Sequence, residues 1–269
     1  MSAVRVVIIG ATGRMGQAML RSMAEFPALH VQAALTNEGH PAVGQDAGLQ
    51  AGLPALGLCV TTDVAAALRG ADVAIDFSSA AVTAAHVAAC VAARVPLLIG
   101  TTGLDATTIA AVDAAASHIA ILVAANTSLA LNVLLALVRR AAAALPEGYD
   151  IEIFESHHKH KVDAPSGTAL VLGRAAAQGR GRALPEPVQL TGATPGPRVG
   201  GSIGFSVARG GDVVGEHQVR FLGPGEQLLL QHVATDRALF ARGALTAASW
   251  LAGKPAGRYE MSDVLSIKT

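Results

Sequence analysis

Aromatic residues are scarce in this chain, 3% of 269 residues, and charged residues make up only 15%. A core poor in rings is built instead from Ala, Val, Leu and Ile. Hydrophobic residues reach 51%, the reverse of a disordered composition. Neither sign of charge is in surplus: Lys plus Arg and Asp plus Glu stand at 20 each, for a net charge of +0. A dedicated nucleic-acid binder carries a basic surplus, so that class is excluded. Cys59 and Cys90 are the only cysteines. Two thiols make neither a disulfide framework nor a four-thiolate zinc site, and both read as small buried apolar residues. Ile119–Val138 lacks charge and is about long enough to cross a bilayer. Asn126, Thr127, Ser128 and Asn132 interrupt it, so it reads as a strand end followed by a helix cap. The opening MSAVRVVIIGATGRMG makes a poor signal peptide, and the expected location is the cytoplasm.

Several catalytic signatures are also missing. Tyr149 and Tyr259 are followed four residues on by Ile153 and Asp263, which removes the Tyr-x-x-x-Lys pair of short-chain dehydrogenases. There is no G-x-x-x-x-G-K-[ST] and no H-E-x-x-H. Neither cysteine has the setting of a nucleophile, which argues against a thiohemiacetal-forming semialdehyde dehydrogenase.

What is present alternates. Val4–Ile9, Val31–Leu35, Asp72–Phe77, Pro96–Ile99 and Ile119–Ala124 read as strands. Helices are expected over Arg14–Phe26, Ala80–Ala93 and Asp105–Ala116, and the polar, Gly-rich stretch Asn37–Leu58 reads as a long loop. Near-continuous apolar strands separated by helices predict a parallel sheet covered on both faces. The second half changes texture. A helix over Leu129–Leu145, a strand over Tyr149–Glu155 and a helix from Ser166 precede a Gly- and Pro-rich segment with a short strand at Val188–Leu190. Strands then follow at Ser202–Arg209, Val213–Phe221 and Gln227–Ala234, the last two joined at Gly223-Pro224-Gly225, before a helix from Asp236 to Leu251. The expectation is an α/β domain followed by a mostly antiparallel α+β domain, with the boundary near Asn126–Asn132.

Three constellations carry chemistry. Gly10-Ala11-Thr12-Gly13-Arg14-Met15-Gly16 follows the first strand and opens the first helix. Glycines there let the backbone approach a pyrophosphate, and the helix N-terminus binds the anion. The spacing is G-x-x-G-x-x-G, and an ordinary Gly-rich turn is the plainer alternative. Thr36 and Asn37 occupy the ribose-selecting end of the second strand, and neither chooses between a 2′-hydroxyl and a 2′-phosphate. Gly100-Thr101-Thr102-Gly103 and Ala124-Ala125-Asn126-Thr127 end later strands on the same edge, where a nicotinamide ring and ribose would lie; turn and cap chemistry is the alternative for each. The third is Glu155-Ser156-His157-His158-Lys159-His160-Lys161, leading through Pro165 into Ser166-Gly167-Thr168. A solvated basic loop is one reading. Zinc is another, opposed by the lysines and the lack of a thiolate. The third is an anion site, in which histidine donates a proton, lysine holds the anion, and the helix start binds a carboxylate.

Taken together, GATGRMG, GTTG and ESHHKHKVDAPSGTA resemble the 4-hydroxy-tetrahydrodipicolinate (dihydrodipicolinate) reductase family. Arg209–His217, the helix around Phe240, Trp250-Leu251 and Tyr259–Leu265 also look like family motifs, so the likeness runs nearly end to end. The resemblance implies a Rossmann-like dinucleotide-binding domain over 1–127, completed by 237–269. It also implies a substrate-binding and oligomerisation domain over 128–236 that builds a homotetramer. It implies hydride transfer from NADH or NADPH to a small dicarboxylate in lysine and diaminopimelate synthesis. His157 and Lys161 become the proton donors, and His158, Gly167 and Thr168 the carboxylate holders. The cofactor contacts become Gly10, Ala11, Thr12, Gly13, Arg14, Met15, Thr36, Asn37, Gly100, Thr101, Thr102, Ala124, Ala125, Asn126 and Thr127. No metal is expected. Many relatives carry an acid and then Arg where this chain has Thr36 and Asn37, so use of both cofactors is expected. At Thr127 relatives often carry a bulkier residue. The rivals are a Rossmann-type oxidoreductase for another dicarboxylate, which would turn over a different keto or imino acid, and a nucleotide-binding sensor, which would bind cofactor without turnover.

Overall fold

The computed structural model describes residues 3–188, 190–191 and 196–267. Two units are distinguished, Met1–Leu129 with Ala238–Lys268, and Ala130–Arg237. The first opens with β1 (Val4–Ile9), α1 (Arg14–Ser22), a 3-10 turn at Met23–Glu25, and β2 (Leu29–Leu35). Next come α2 (Ala47–Gln50), β3 (Val60–Thr61), α3 (Val64–Leu68), β4 (Val73–Asp76), α4 (Ala80–Ala93), β5 (Leu97–Ile99), α5 (Ala106–Ala115) and β6 (Ala120–Val123). The second unit is built from α6 (Leu129–Ala144), β7 (Asp150–His157), α7 (Gly167–Gly179), β8 (Ile203–Arg209), β9 (Gly215–Gly223) and β10 (Glu226–Ala234). The chain ends with α8 (Ala238–Leu251), β11 (Gly257–Tyr259) and α9 (Met261–Val264).

The first sheet has seven strands in the order β11-β6-β5-β4-β1-β2-β3, all parallel. Strands β3 to β6 follow the doubly wound Rossmann order, with the direction of winding reversing between β1 and β4. Side-chain alternation splits the apolar strands between two cores. Val6, Ile8, Ile75, Leu98 and Leu122 pack with Met19 and Leu20 of α1 and with Ala241, Ala244, Leu245, Ala248 and Leu251 of α8. Val7, Ile9, Ala74, Leu97, Ile99 and Ile121 pack under Leu68, Val87, Cys90 and Val112 on the opposite face. Small alanines let α8 lie close to the sheet where bulkier rings would hold it off.

The stretch Asn37–Leu58 is not wholly loop. Asp46 caps α2 and also accepts the N–H groups of Leu56, Gly57 and Leu58, so one carboxylate folds the segment back on itself. The two-residue β3 and three-residue β11 escape a reading by periodicity because they are too short to show one. Ile119–Val138 divides between β6 and α6, and no helix among the described residues is long and apolar enough to cross a membrane. Cys90 is buried, whereas Cys59 is exposed, so the apolar reading fits only the former.

The second sheet runs β10-β9-β7-β8, with α6 and α7 on one face. It is mostly antiparallel, as expected, with one parallel pair: β8 lies parallel to β7, Ile151 opposite Ile203. A parallel neighbour needs a long crossover, which α7 and the segment after it supply. Of the strand expected at Val188–Leu190, Gln189 lies outside the described residues, and Leu190 makes an isolated parallel bridge to Phe205. Gly173 and Gly179 allow close approach: a Cβ would fall 2.6 Å from the Phe205 ring and 2.3 Å from the Arg139 carbonyl oxygen respectively.

The tightest contact in the first unit is at Gly243 of α8, where a Cβ would lie 1.8 Å from the Thr127 carbonyl oxygen. Gly243→Ala is expected to destabilise the protein by about 1–3 kcal/mol, the usual cost of overpacking. An unchanged midpoint in urea titration would show that α8 shifts freely.

Candidate active site

The carboxyl ends of the parallel strands gather the first set of sequence-predicted residues. Gly10 has φ of +82°, and its Cβ would meet the Phe77 carbonyl oxygen at 2.7 Å. At Gly16 a Cβ would sit 2.3 Å from the Gly10 carbonyl oxygen, so glycine lets α1 seat flush on the loop. The N-cap, Gly13, offers no side chain to the first turn of α1. Those N–H groups therefore face no built-in cap, which fits a loop that receives pyrophosphate. Thr12 and Thr36 hydroxyls meet at 2.7 Å and tie the loop to the end of β2. Arg14 and Asn37 are exposed. The residues present thus suit a dinucleotide: Gly10–Met15 for phosphates, Thr36 and Asn37 for ribose, and Gly100–Thr102 and Ala124–Asn126 for the nicotinamide end.

Some of these side chains have other tasks. Asn126 Oδ1 accepts the Ser128 N–H at 2.9 Å, which is cap chemistry. Thr127 is buried, and its hydroxyl donates to the Phe240 carbonyl at 2.7 Å, so its side chain seats α8. Thr101 is buried against Asp76. Sequence reasoning missed that aspartate and its neighbours. Asp76, fully buried at the end of β4, accepts from the Ser78 N–H and hydroxyl at 2.8 and 2.6 Å and pairs with His86 Nδ1 at 2.9 Å. Phe77 fills the space Gly100 leaves, since a Cβ there would lie 2.1 Å from its ring. The signal was the polar run directly after an apolar strand, which names no chemistry until Gly100 and His86 are brought beside it.

The second set lies entirely in the other unit. Alternation along β7 buries Ile151, Ile153, Glu155 and His157 on one face. Two apolar positions are thus followed by a carboxylate and an imidazole. Glu155 is 0% and His157 8% exposed. Glu155 Oε2 meets His157 Nδ1 at 2.5 Å, and Arg209 of β8 binds both carboxylate oxygens at 2.8 Å. The Ser166 N–H completes the set at 3.0 Å to Oε1. Burial raises the Glu155 pKa, but Arg209, His157 and Ser166 outweigh it and hold the carboxyl below its ordinary range. Burial also keeps the His157 pKa below that of a free imidazole, against the pull of Glu155, with Lys161 and Arg209 adding to the effect.

Lys161 Nζ contacts Asp163 at 2.7 and 2.9 Å and lowers that carboxyl. His158 and His160 lie with ring centroids 6.3 Å apart. Among the described residues no group of three or more His, Cys, Asp or Glu is arranged to hold a metal ion. Ser166 caps α7 through the Ala169 N–H, and nothing crowds the space beside Gly167. His217 of β9 reaches the Ser166 hydroxyl through Nε2 at 3.0 Å, and its ring stands edge-on to His157 at 5.0 Å. Arg209 and His217 were seen in sequence only as parts of a motif. Their roles come from strand pairing, which sets Arg209 opposite His157 and His217 opposite Glu155.

A dinucleotide-type sheet edge and a buried imidazole–carboxylate site beside a lysine-bearing loop define a nicotinamide-dependent oxidoreductase. Residues 4–127 match the family model for the dihydrodipicolinate reductase N-terminus, and residues 130–265 that for its C-terminus. The chain belongs to the dihydrodipicolinate reductase family. It is 49% identical to the 4-hydroxy-tetrahydrodipicolinate reductase of Ruegeria pomeroyi, over 97% of this chain and 98% of that protein. It is 48% identical to the protein of the same name from Anaeromyxobacter dehalogenans, over 98% of each. Among solved structures, dipicolinate-bound dihydrodipicolinate reductase from Paenisporosarcina sp. TG-14 shares the fold, with a TM-score of 0.78 at 23% identity over 99% of this chain and 100% of that one.

Burial pushes His217 down to about 3, with the charge of His157 adding to it. A histidine kept neutral in the fold stabilises it above the free imidazole value of about 6.5, and that stability is lost as pH falls from there toward 3. His157 and His232 act with the same sign, and Glu155 does so in a lower window. Unfolding free energy is therefore expected to drop on acidification from pH 7. In His217→Gln the slope should be shallower by up to about one proton. Equal slopes in denaturant titrations at several pH values would refute the neutral buried state of His217.

Proposed function

We propose that this chain reduces 4-hydroxy-tetrahydrodipicolinate, by way of dihydrodipicolinate, to tetrahydrodipicolinate in lysine and diaminopimelate synthesis, using either NADH or NADPH. The observation that carries the reading is His157, locked to a buried carboxylate at the mouth of the Lys161 loop, in a chain of this family. In this proposal residues 1–127 with 237–269 bind the dinucleotide, and residues 128–236 bind substrate and assemble the oligomer.

When bound, the reduced nicotinamide supplies hydride to C4 of the ring formed when the hydroxy substrate loses water. Hydride addition leaves an enamine, and the chain's part is to deliver a proton to its carbon. His157 carries that proton, and Lys161 is the second donor and an anchor for the substrate anion. His158 and the N–H groups of Gly167 and Thr168 at the start of α7 hold the carboxylates. Dual cofactor use is favoured by Thr36 and Asn37, which bring neither the acid that binds a 2′-hydroxyl nor the base that binds a 2′-phosphate.

The test follows loss of reduced-nicotinamide absorbance with substrate made in situ by the preceding synthase, NADH and NADPH run side by side. Turnover with both cofactors is expected only when the synthase product is present. His157→Gln should lower kcat by about 100-fold or more with cofactor binding intact. Lys161→Ala should impair both kcat and KM. Cofactor binding without turnover would point instead to another dicarboxylate or to a sensor.

The exposed apolar residues on the outer face of β10 support assembly into a homotetramer. Leu229, 46% exposed, alternates outward on β10 with Val233. Leu229→Glu is expected to shift the sedimentation coefficient from tetramer to smaller species. A tetramer in that variant would exclude this face from the interface.

A further inference from the structure

We propose that Glu155 is the positioning residue of this site: it fixes His157 with the proton on Nδ1, so that Nε2 is the atom that exchanges protons with the substrate. The inference deepens the functional reading above and rests on it for the part His157 plays.

The argument starts from the carboxylate. Glu155 accepts two hydrogen bonds from Arg209 and one from the Ser166 N–H. A carboxylate held ionised in this way has only lone pairs to offer, so the 2.5 Å contact to His157 Nδ1 requires the proton on that nitrogen. The hydrogen bond made by one ring nitrogen sets the state of the other, and Nε2 is left to take up and release protons. Gly215 keeps that side of the ring clear, because a Cβ there would sit 3.1 Å from Nε2. Nδ1 stays protonated throughout: the imidazolium gives its Nε2 proton to substrate carbon, becomes neutral, and regains a proton at Nε2 from water. The charged and titratable groups facing the ring are Glu155 on its own strand, Lys161 on the loop after it, Arg209 on β8 and His217 on β9. Glu155 is the only acid in that set. The same carboxylate holds the Ser166 N–H at the start of α7, so the proton donor and the proposed carboxylate-binding helix start share one anchor.

The experiment reads the tautomer directly. Long-range proton–nitrogen NMR of the full-length protein, with His157 assigned by comparison with His157→Gln, is expected to show Nδ1 protonated and Nε2 bare at a pH where the ring is neutral. Glu155→Gln should lose that preference. Its kcat should fall by about 10–100-fold, the usual effect of removing a supporting partner, with an altered pH profile. Cofactor affinity should stay within about 2-fold, since Glu155 lies outside the residues proposed to bind the dinucleotide. A wild-type His157 protonated on Nε2 overturns the inference, as does a Glu155→Gln enzyme with wild-type kcat and pH profile. Should Glu155→Gln fail to fold, the wild-type tautomer decides alone. No turnover of the synthase product by a protein whose His157 holds the stated tautomer overturns the proposed function instead.

Discussion

A buried carboxylate must have its charge compensated by protein groups, and the second unit is arranged around that requirement. Glu155 follows Ile151 and Ile153 along the buried face of β7, where an apolar residue would be the simpler occupant. Its ionised state survives because three elements converge on it. Strand β8 brings Arg209, the strand's own end brings His157, and the start of α7 brings the Ser166 N–H. Breaking a buried pair by removing one partner costs about 3–5 kcal/mol, because the other charge is left uncompensated. The geometry is therefore strongly specified. Register between β7 and β8, the position of α7 and the orientation of the His157 ring are all tied to one side chain.

The first unit solves a different problem with different material. Its sheet must bring several backbone loops to one edge and keep that edge uncluttered. Glycine does this at Gly10, Gly16 and Gly100, where a Cβ would meet backbone or the Phe77 ring. Alanine does it in α8, whose small side chains let the helix lie on the sheet. A scarcity of aromatics is thus part of how the unit packs. The buried Asp76, bonded to Ser78 and His86 and beside Thr101, links the ends of β4 and β5 on that edge.

Much of this was legible in the chain. Runs such as Val4–Ile9 and Ala80–Ala93 announce strand and helix within themselves, and the observed elements have those same bounds. The His–Lys run before Pro165 was legible as a candidate anion site beside its plainer alternatives. Other features were not legible, for identifiable reasons. Strands β3 and β11 are two and three residues long and carry no period. The parallel placement of β8 depends on a crossover whose course is set by packing. The bond of the Thr127 hydroxyl to a carbonyl 113 residues away shows in no local pattern. Cys59 is exposed because it lies between Leu58 and Val60, which pack on the core, and so turns the other way, though its composition reads like that of Cys90.

By itself, then, the sequence determined the class of fold, the glycine loop and the residues able to carry protons, because periodicity, turn chemistry and motif spacing are local properties. Tertiary structure decided what those residues are. It placed Arg209 opposite His157 and His217 opposite Glu155 across strands, and it closed α7 onto the same carboxylate. Ionisation, tautomer and burial depend on the field and the solvent at a point in space. That field comes from residues about 50 positions apart in the chain, such as Glu155 and Arg209, at |i−j| of 54.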